Sequence, residues 1–244
     1  MKIATIGTDP EIFHSLQGEG LNIGRPTVFI RLSLCNLHCS WCDTSYTWNW
    51  EGTSFGHPGP KYSKAKEIVD LTVAEILELA LAFGCAHFSI TGGEPLVQQK
   101  ELVTLATQLG QEMPKSHVEL ETNCTIRPSA DLDILVDQYN VSPKLANSGI
   151  RGEDRIVDPV LRFFASNPKA TFKFVIDNPD DIAEVQALQR EFDIPPGIVF
   201  LMAQACDRSE LTARNVWLAR ECRDRGYRMS DRLQVQLFDG ARGR

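Results

Sequence analysis

Three thiols, Cys35, Cys39 and Cys42, share one short loop in a C-x3-C-x2-C spacing, directly after the strand-like run Val28-Phe29-Ile30-Arg31-Leu32. Thiolate-rich donor sets select zinc, copper(I) or iron–sulfur clusters. A structural zinc site wants four protein ligands, and no fourth thiol stands in the loop. A four-iron cluster held by three thiolates keeps one iron open to a substrate or cofactor. A zinc loop completed by His38 or His57, and thiols that bind no metal, are the other readings of this spacing.

Three further stretches carry residues suited to ligand contact. Two glycines flank Glu19 in Ser15-Leu16-Gln17-Gly18-Glu19-Gly20, where they let the backbone approach a ligand with its amides exposed; a plain turn has the same composition. Arg31 places a guanidinium in an apolar strand just ahead of the cysteines, apt for bidentate capture of a carboxylate, unless it simply faces outward. Thr91-Gly92-Gly93-Glu94-Pro95 follows the strand-like His87–Ile90. Ligands of parallel-stranded folds bind at such strand ends, although a tight turn would use the same residues.

These stretches need a scaffold, and the apolar periodicity supplies one. Thr72 and Glu75 form a capping-box pattern, with Val73, Ile76, Leu77, Ala80 and Leu81 on one helical face until Gly84. Helices are predicted over about 98–112, 131–137, 159–166, 179–192 and 209–225, the fourth capped by Asn178-Pro179. Strands are predicted near 117–123, 139–141, 171–177 and 197–202. Six strands alternating with helices over residues 28–202 predict an α/β fold with a parallel sheet curved into a partial barrel. The stretch Asn49–Lys66, rich in glycine and proline, reads as a long surface loop replacing the first helix, with His57 exposed in it. The tail from Arg232 reads as a strand plus a basic stub.

Composition narrows the class. The chain has 244 residues, 43 % hydrophobic and 23 % charged, with a net charge of −7, which argues against a broad nucleic-acid footprint. No apolar run approaches the roughly 20 residues of a membrane span. The start, Met1-Lys2-Ile3-Ala4-Thr5, lacks the apolar core of a secretory signal, so a cytoplasmic enzyme is expected. Seven cysteines without a framework of spacings fit a reducing compartment and a metal site. Cys85, Cys124, Cys206 and Cys222 are expected to be packing residues.

The cysteine spacing, with Trp41 and Asp43 in and beside it, resembles the radical S-adenosylmethionine superfamily. Ser15–Gly20 resembles one branch of it, the 7-carboxy-7-deazaguanine synthases of queuosine and deazapurine biosynthesis. The resemblance implies a partial (β/α)6 barrel in one domain over 1–244, with an N-terminal substrate segment at 10–27 and a closing strand and tail at 232–244. It implies that Cys35, Cys39 and Cys42 hold a 4Fe-4S cluster whose open iron takes S-adenosylmethionine. The cofactor would be contacted by Trp41, Cys42, Asp43, Gly93, Glu94, Ser142, Pro143 and Lys144, and by a looser match at Gln204. The substrate, 6-carboxy-5,6,7,8-tetrahydropterin, would be held by Leu16, Gln17, Gly18, Arg31, Thr91 and the terminal Arg244, and Mg2+ by Thr44.

The implied reaction is a lyase step in which a deoxyadenosyl radical takes a hydrogen from the pterin. The ring then contracts and ammonia leaves, with no side chain needed as a strong general base. A flavodoxin or ferredoxin as electron donor and a homodimer are expected, with no nucleic-acid or membrane partner. The match departs at Cys124, at Phe238 where a tryptophan is usual, in the long loop and around Met202. Two rivals are an activating enzyme that places a radical on a partner protein and a non-catalytic zinc module.

Overall fold

The run ahead of the cysteines is buried on both faces over Thr27–Ile30, as befits a parallel strand with helices on one side and a filled interior on the other. In the computed structural model, which describes residues 1–243, the chain opens with β1 (Lys2–Ile6), β2 (Asp9–Pro10), β3 (Ile12–Leu16) and β4 (Pro26–Leu32). A single turn α1 (Lys64–Glu67) and β5 (Ile68–Asp70) follow, then α2 (Val73–Leu81), β6 (His87–Gly92), α3 (Gln99–Glu112) and β7 (His117–Thr122). Next come α4 (Ala130–Leu135), β8 (Gln138–Val141), α5 (Gly152–Arg155), α6 (Asp158–Ser166) and β9 (Ala170–Ile176). The chain closes with α7 (Pro179–Glu191), β10 (Val199–Ala203), α8 (Arg208–Arg225), β11 (Arg228–Ser230) and α9 (Leu233–Phe238).

Strands β4, β6, β7, β8, β9, β10 and β11 lie side by side in that order, every neighbouring pair parallel. The sheet does not close on itself: β11 ends one side, and antiparallel β3 and β1 extend the other from β4. It is the open, partial barrel that the alternation predicts. Two-residue periodicity sorts the side chains. Phe88, Ile90, Val118 and Leu120 join the apolar core, while the intervening His87, Ser89, Thr91, His117, Glu119 and Glu121 form a polar file along the inner face of β6 and β7.

The helix signals are realised. Thr72 caps α2, its hydroxyl accepting from Glu75 N at 3.2 Å while Glu75 accepts from Thr72 N at 2.7 Å, and Asn178 and Asp181 repeat the device at α7. Three features differ from expectation. The N-terminal segment is not a mere lead: β1 pairs with β5, and Ile12–Leu16 is a full strand along β4. The stretch Asn49–Lys66 is a largely exposed surface loop, as expected, but it enters a turn of helix at its end and is tied down at its base. Trp50 is buried and bridges to Tyr62, and Lys61 Nζ donates to Asn49 Oδ1 at 2.7 Å.

The predicted closing strand is instead the helix α9. The alternation Leu233-Gln234-Val235-Gln236-Leu237 suits a strand, but the free edge of β10 is already taken by Arg228–Ser230. The tail does not extend the sheet beyond β11. It turns over the cavity, buries Val235 and anchors through Leu233 N to Gly18 O at 2.9 Å. Arg244 lies outside the described residues. No helix among the described residues is long and apolar enough to cross a membrane.

Candidate active site

Strand β4 delivers the cysteine loop to the carboxyl ends of the parallel strands, and the Gly92-Gly93 pair seats it. A Cβ at Gly92 would lie 2.0 Å from Leu32 O, and one at Gly93 2.0 Å from Leu34 O. Gly93 N donates to Leu32 O at 2.9 Å and Glu94 N to Leu34 O at 2.8 Å. The close approach expected toward a ligand is thus made first toward the loop's own backbone, where Leu34 takes the left-handed conformation (φ 77°).

Burial pushes the Cys35 thiol up to about 12, the Cys39 thiol to about 11, and Cys42 upward as well. Near neutral pH these sulfurs keep their protons until a metal replaces them. Trp48 Nε1 donates to Cys42 Sγ at 3.4 Å, and Thr44 Oγ1 lies 3.6 Å from the same sulfur. Neither nearby histidine completes the set. His38 stacks on Phe55, ring centroids 3.7 Å apart. His57, expected exposed, is half-buried against the edge of Trp48, with Nε2 3.2 Å from Cys42 O.

The three thiols also stand too openly for one small ion. Among the described residues, the group of donors that closes within 4.8 Å is His87, His117 and Glu119, and the loop cysteines form no such group. Three sulfurs on one zinc would lie within about 4 Å of each other, given zinc–sulfur bonds near 2.3 Å. A wider inorganic core fits the loop better, so the residues present suit a 4Fe-4S cluster.

The cysteines open into a cavity of about 430 Å³, ample for a small ligand. Its lining gathers Leu16, Gln17, Gly18, Arg31, Trp41, Asp43, Thr44, Thr91, Gly93, Ser142, Lys144 and Gln204 with Cys35, Cys39 and Cys42. Two sequence-predicted contacts are not in it. Pro143 is buried behind its neighbours. Glu94 is fully buried, and its carboxylate accepts from Leu96 N at 3.0 Å, Thr122 Oγ1 at 3.0 Å and Asn123 N at 2.6 Å. Burial outweighs those bonds and raises its carboxyl to about 7. Glu94 ties the end of β6 to the end of β7; it positions the wall and does not face the ligand space.

Arg31 is held from behind. Its Nε donates to Glu11 Oε1 at 2.8 Å, and Tyr46 Oη donates to the same oxygen at 3.1 Å. Among the described residues its guanidinium makes no other hydrogen bond, so its terminal nitrogens remain available to an anion in the cavity.

Sequence reasoning missed a charged network on the opposite wall. The Glu19 carboxylate accepts from Lys173 Nζ, from Arg232 Nε at 3.2 Å and from Gln234 Nε2 at 2.6 Å, and Arg232 also reaches Asp43 and Ala205 O. Burial alone would raise the Glu19 carboxyl, but Lys173 and then Arg232 hold it far below the usual range. Burial works against the Lys173 ammonium too, and Glu19 and Glu121 keep it charged. Lys173 had a visible sign, a cation inside the wholly buried strand Ala170–Ile176. A Cβ at Gly18 would lie 1.9 Å from Gln234 Oε1, so a side chain there would push the Gln234 amide away from Glu19. Glu121, which accepts from Thr91 Oγ1 at 2.9 Å, and Cys206 also line the cavity. Cys206 is exposed, contrary to a packing role, whereas Cys124 and Cys222 are buried and Cys85 half-buried.

Comparison with known proteins agrees with this geometry. The sequence model of the radical SAM superfamily matches residues 30–186. A 7-carboxy-7-deazaguanine synthase of Pyrobaculum aerophilum is 39 % identical over 241 residues, 96 % of either chain. One of Rhodopirellula baltica is 34 % identical over 246 residues, covering 96 % of this chain and 87 % of the other. The crystal structure of QueE from Escherichia coli aligns with a TM-score of 0.66 at 26 % identity, covering 96 % of this chain and 95 % of that one.

Proposed function

Because the chain belongs to the 7-carboxy-7-deazaguanine synthases of the radical S-adenosylmethionine superfamily, we propose residue roles for that reaction in the cavity described above. The protein is a radical S-adenosylmethionine lyase of the queuosine pathway, working with a 4Fe-4S cluster and S-adenosylmethionine on a small-molecule substrate. When bound, cluster and cofactor supply the one-electron cleavage that starts hydrogen abstraction from the substrate. The polypeptide positions the reactants and excludes water.

Cys35, Cys39 and Cys42 hold the cluster, with Trp48 and Thr44 directing hydrogen-bond donors at the Cys42 sulfur. Trp41, Asp43, Gly93, Ser142, Lys144 and Gln204 face the cofactor, backed by Glu94 and Pro143. Leu16, Gln17 and Gly18 cradle 6-carboxy-5,6,7,8-tetrahydropterin, with Thr91 beside them. Arg31 takes the substrate carboxylate through the terminal nitrogens that Glu11 leaves free. Glu121 offers an acceptor for the ring's amino and amide N–H groups. Lys173 and Arg232 hold Glu19 ionised and fix the backbone of the substrate segment. Thr44 offers a hydroxyl to a Mg2+ that keeps most of its waters, and the Arg244 carboxylate closes the site.

The whole chain acts as one catalytic unit, in the cytoplasm, as a homodimer reduced by a flavodoxin or ferredoxin. The observation that carries these assignments is that the three thiols, Arg31 and the Gln17–Gly18 segment line the same cavity. Anaerobic reconstitution with iron and sulfide, then incubation with reductant, S-adenosylmethionine and the carboxypterin, tests them. Mass spectrometry should find both 5′-deoxyadenosine and the deazapurine. Arg31→Ala should keep cluster and cofactor binding while raising KM for the pterin; an unchanged KM would reject the carboxylate assignment.

A further inference from the structure

The polar file on the inner face of β6 and β7 continues past the cavity and ends in a cluster that the reaction does not use. His87 opens β6, His117 lies opposite it in register at the start of β7, and Glu119 follows two residues later on the same face. One atom from each of the three lies within 4.8 Å of the others, and the two imidazole centroids are 4.6 Å apart. Five residues separate His87 from Gly92, about 17 Å of extended strand, so the cluster stands clear of the cysteine loop.

Thr27 Oγ1 lies 2.9 Å from Arg25 O and 2.8 Å from His87 Nδ1; with its proton on Arg25 O the hydroxyl accepts from His87 Nδ1–H, the tautomer that leaves Nε2 a bare lone pair. Nε2 is buried, has no hydrogen-bond partner, and faces Glu119 Oε2 at 3.7 Å. The gap is too wide for a hydrogen bond, yet two donors each about 2.1 Å from one ion sit comfortably at such a spacing. His117 Nε2 is likewise buried without a partner.

Glu119 has capacity to spare. Oε2 accepts from Asn22 Nδ2 at 2.6 Å, and Oε1 accepts from Gln17 Nε2 and from Ser89 Oγ at 3.4 Å, which leaves a lone pair on Oε2. Two buried ring nitrogens without partners and a carboxylate oxygen converging in one site stay unsatisfied unless an ion or a proton lies between them. An imidazole whose far N–H is anchored while its near nitrogen is free is the arrangement of a metal-bound histidine.

We propose that His87, His117 and Glu119 bind a divalent transition-metal ion, zinc by preference, separate from the iron–sulfur site. Imidazole with carboxylate suits zinc and its neighbours rather than magnesium or calcium, and three protein ligands leave a fourth position for water. Half-buried His117 provides the way in. The ion clamps β6 to β7 and fixes Glu119 beneath Gln17. The donor set is complete without the pterin assignment, so the site stands or falls independently of it.

The test uses the full-length, cluster-loaded protein equilibrated with zinc sulfate and desalted, then read by metal analysis and zinc-edge X-ray absorption. One zinc per chain is expected, ligated by nitrogen and oxygen only. His117→Ala, at a half-buried strand start, should fold and lose the ion. Thr27→Val keeps all three ligands but releases the His87 tautomer, and should weaken zinc binding by about tenfold to a hundredfold. Failure to retain stoichiometric zinc, zinc bound through sulfur, or retention unchanged in His117→Ala would each overturn the proposal.

Discussion

The cysteine loop gathers its three donors from one short turn of chain, whereas the Glu19–Lys173–Arg232 network on the facing wall draws its charges from the first strands, β9 and the approach to the last helix. Both line the same cavity. The loop's chemistry is local: thiols at set spacing, seated by two glycines against Leu32 and Leu34. The network's chemistry exists only when the fold is complete, since Arg232 reaches Glu19 across 213 residues of sequence. A local donor set can thus be lost with little harm to the fold, while a distributed one serves stability and function together.

The sharpest break of that comparison is Cys39→Ala. It should abolish cluster loading and every product while leaving thermal stability close to wild type, because it removes only a neutral buried thiol; iron analysis, mass spectrometry and calorimetry report the three. Lys173→Met should do the reverse. Stranding the Glu19 carboxylate in a buried site should cost about 3–5 kcal/mol in denaturant unfolding, yet leave the cysteines able to take up iron in the remaining folded protein. Adding Glu19→Gln to Lys173→Met should return part of that loss; no recovery would show that the two charges are not coupled.

The two kinds of wall should also separate by pH. Glu19 has a folded value held below its unfolded one, so its contribution is present above the ordinary carboxylate range and fades only in strong acid. Glu94 has the opposite sign. Its value is raised from 4.5 to about 7, so the stability it confers is complete below about 4.5 and is lost as pH rises through about 7. Melting temperature should therefore fall as pH rises from about 4.5 to about 7. Glu94→Gln should remove its share of that slope, and an unchanged slope would contradict the assignment. The smallest expected effect is Trp48→Phe. Iron content should hold, but loss of the N–H donor to the Cys42 sulfur should lower the cluster potential in a redox titration followed by electron paramagnetic resonance.

The same division explains what could be read from residues alone. Thr72 with Glu75 and Asn178 with Pro179 act within a few positions and form as read, and the cysteine spacing brings three thiols to one cavity. The inward pairing of β1 with β5 was not readable, because Lys2–Ile6 is a short strand whose partner lies across an irregular loop. Nor was α9, whose alternating residues favour a strand. Glu94 looked like a ligand contact because it follows two glycines at a strand end, but three inward donors claim its carboxylate first. Arg232 carried no local sign of its role.

The meeting of Gly18 with Gln234, and of Glu19 with Arg232, has a consequence for biogenesis. During translation the thiols emerge long before the residues that wall them in, so a nascent chain carries its cysteines open to oxygen and stray metals. The wall that faces the thiols is complete only once the last helix has been made.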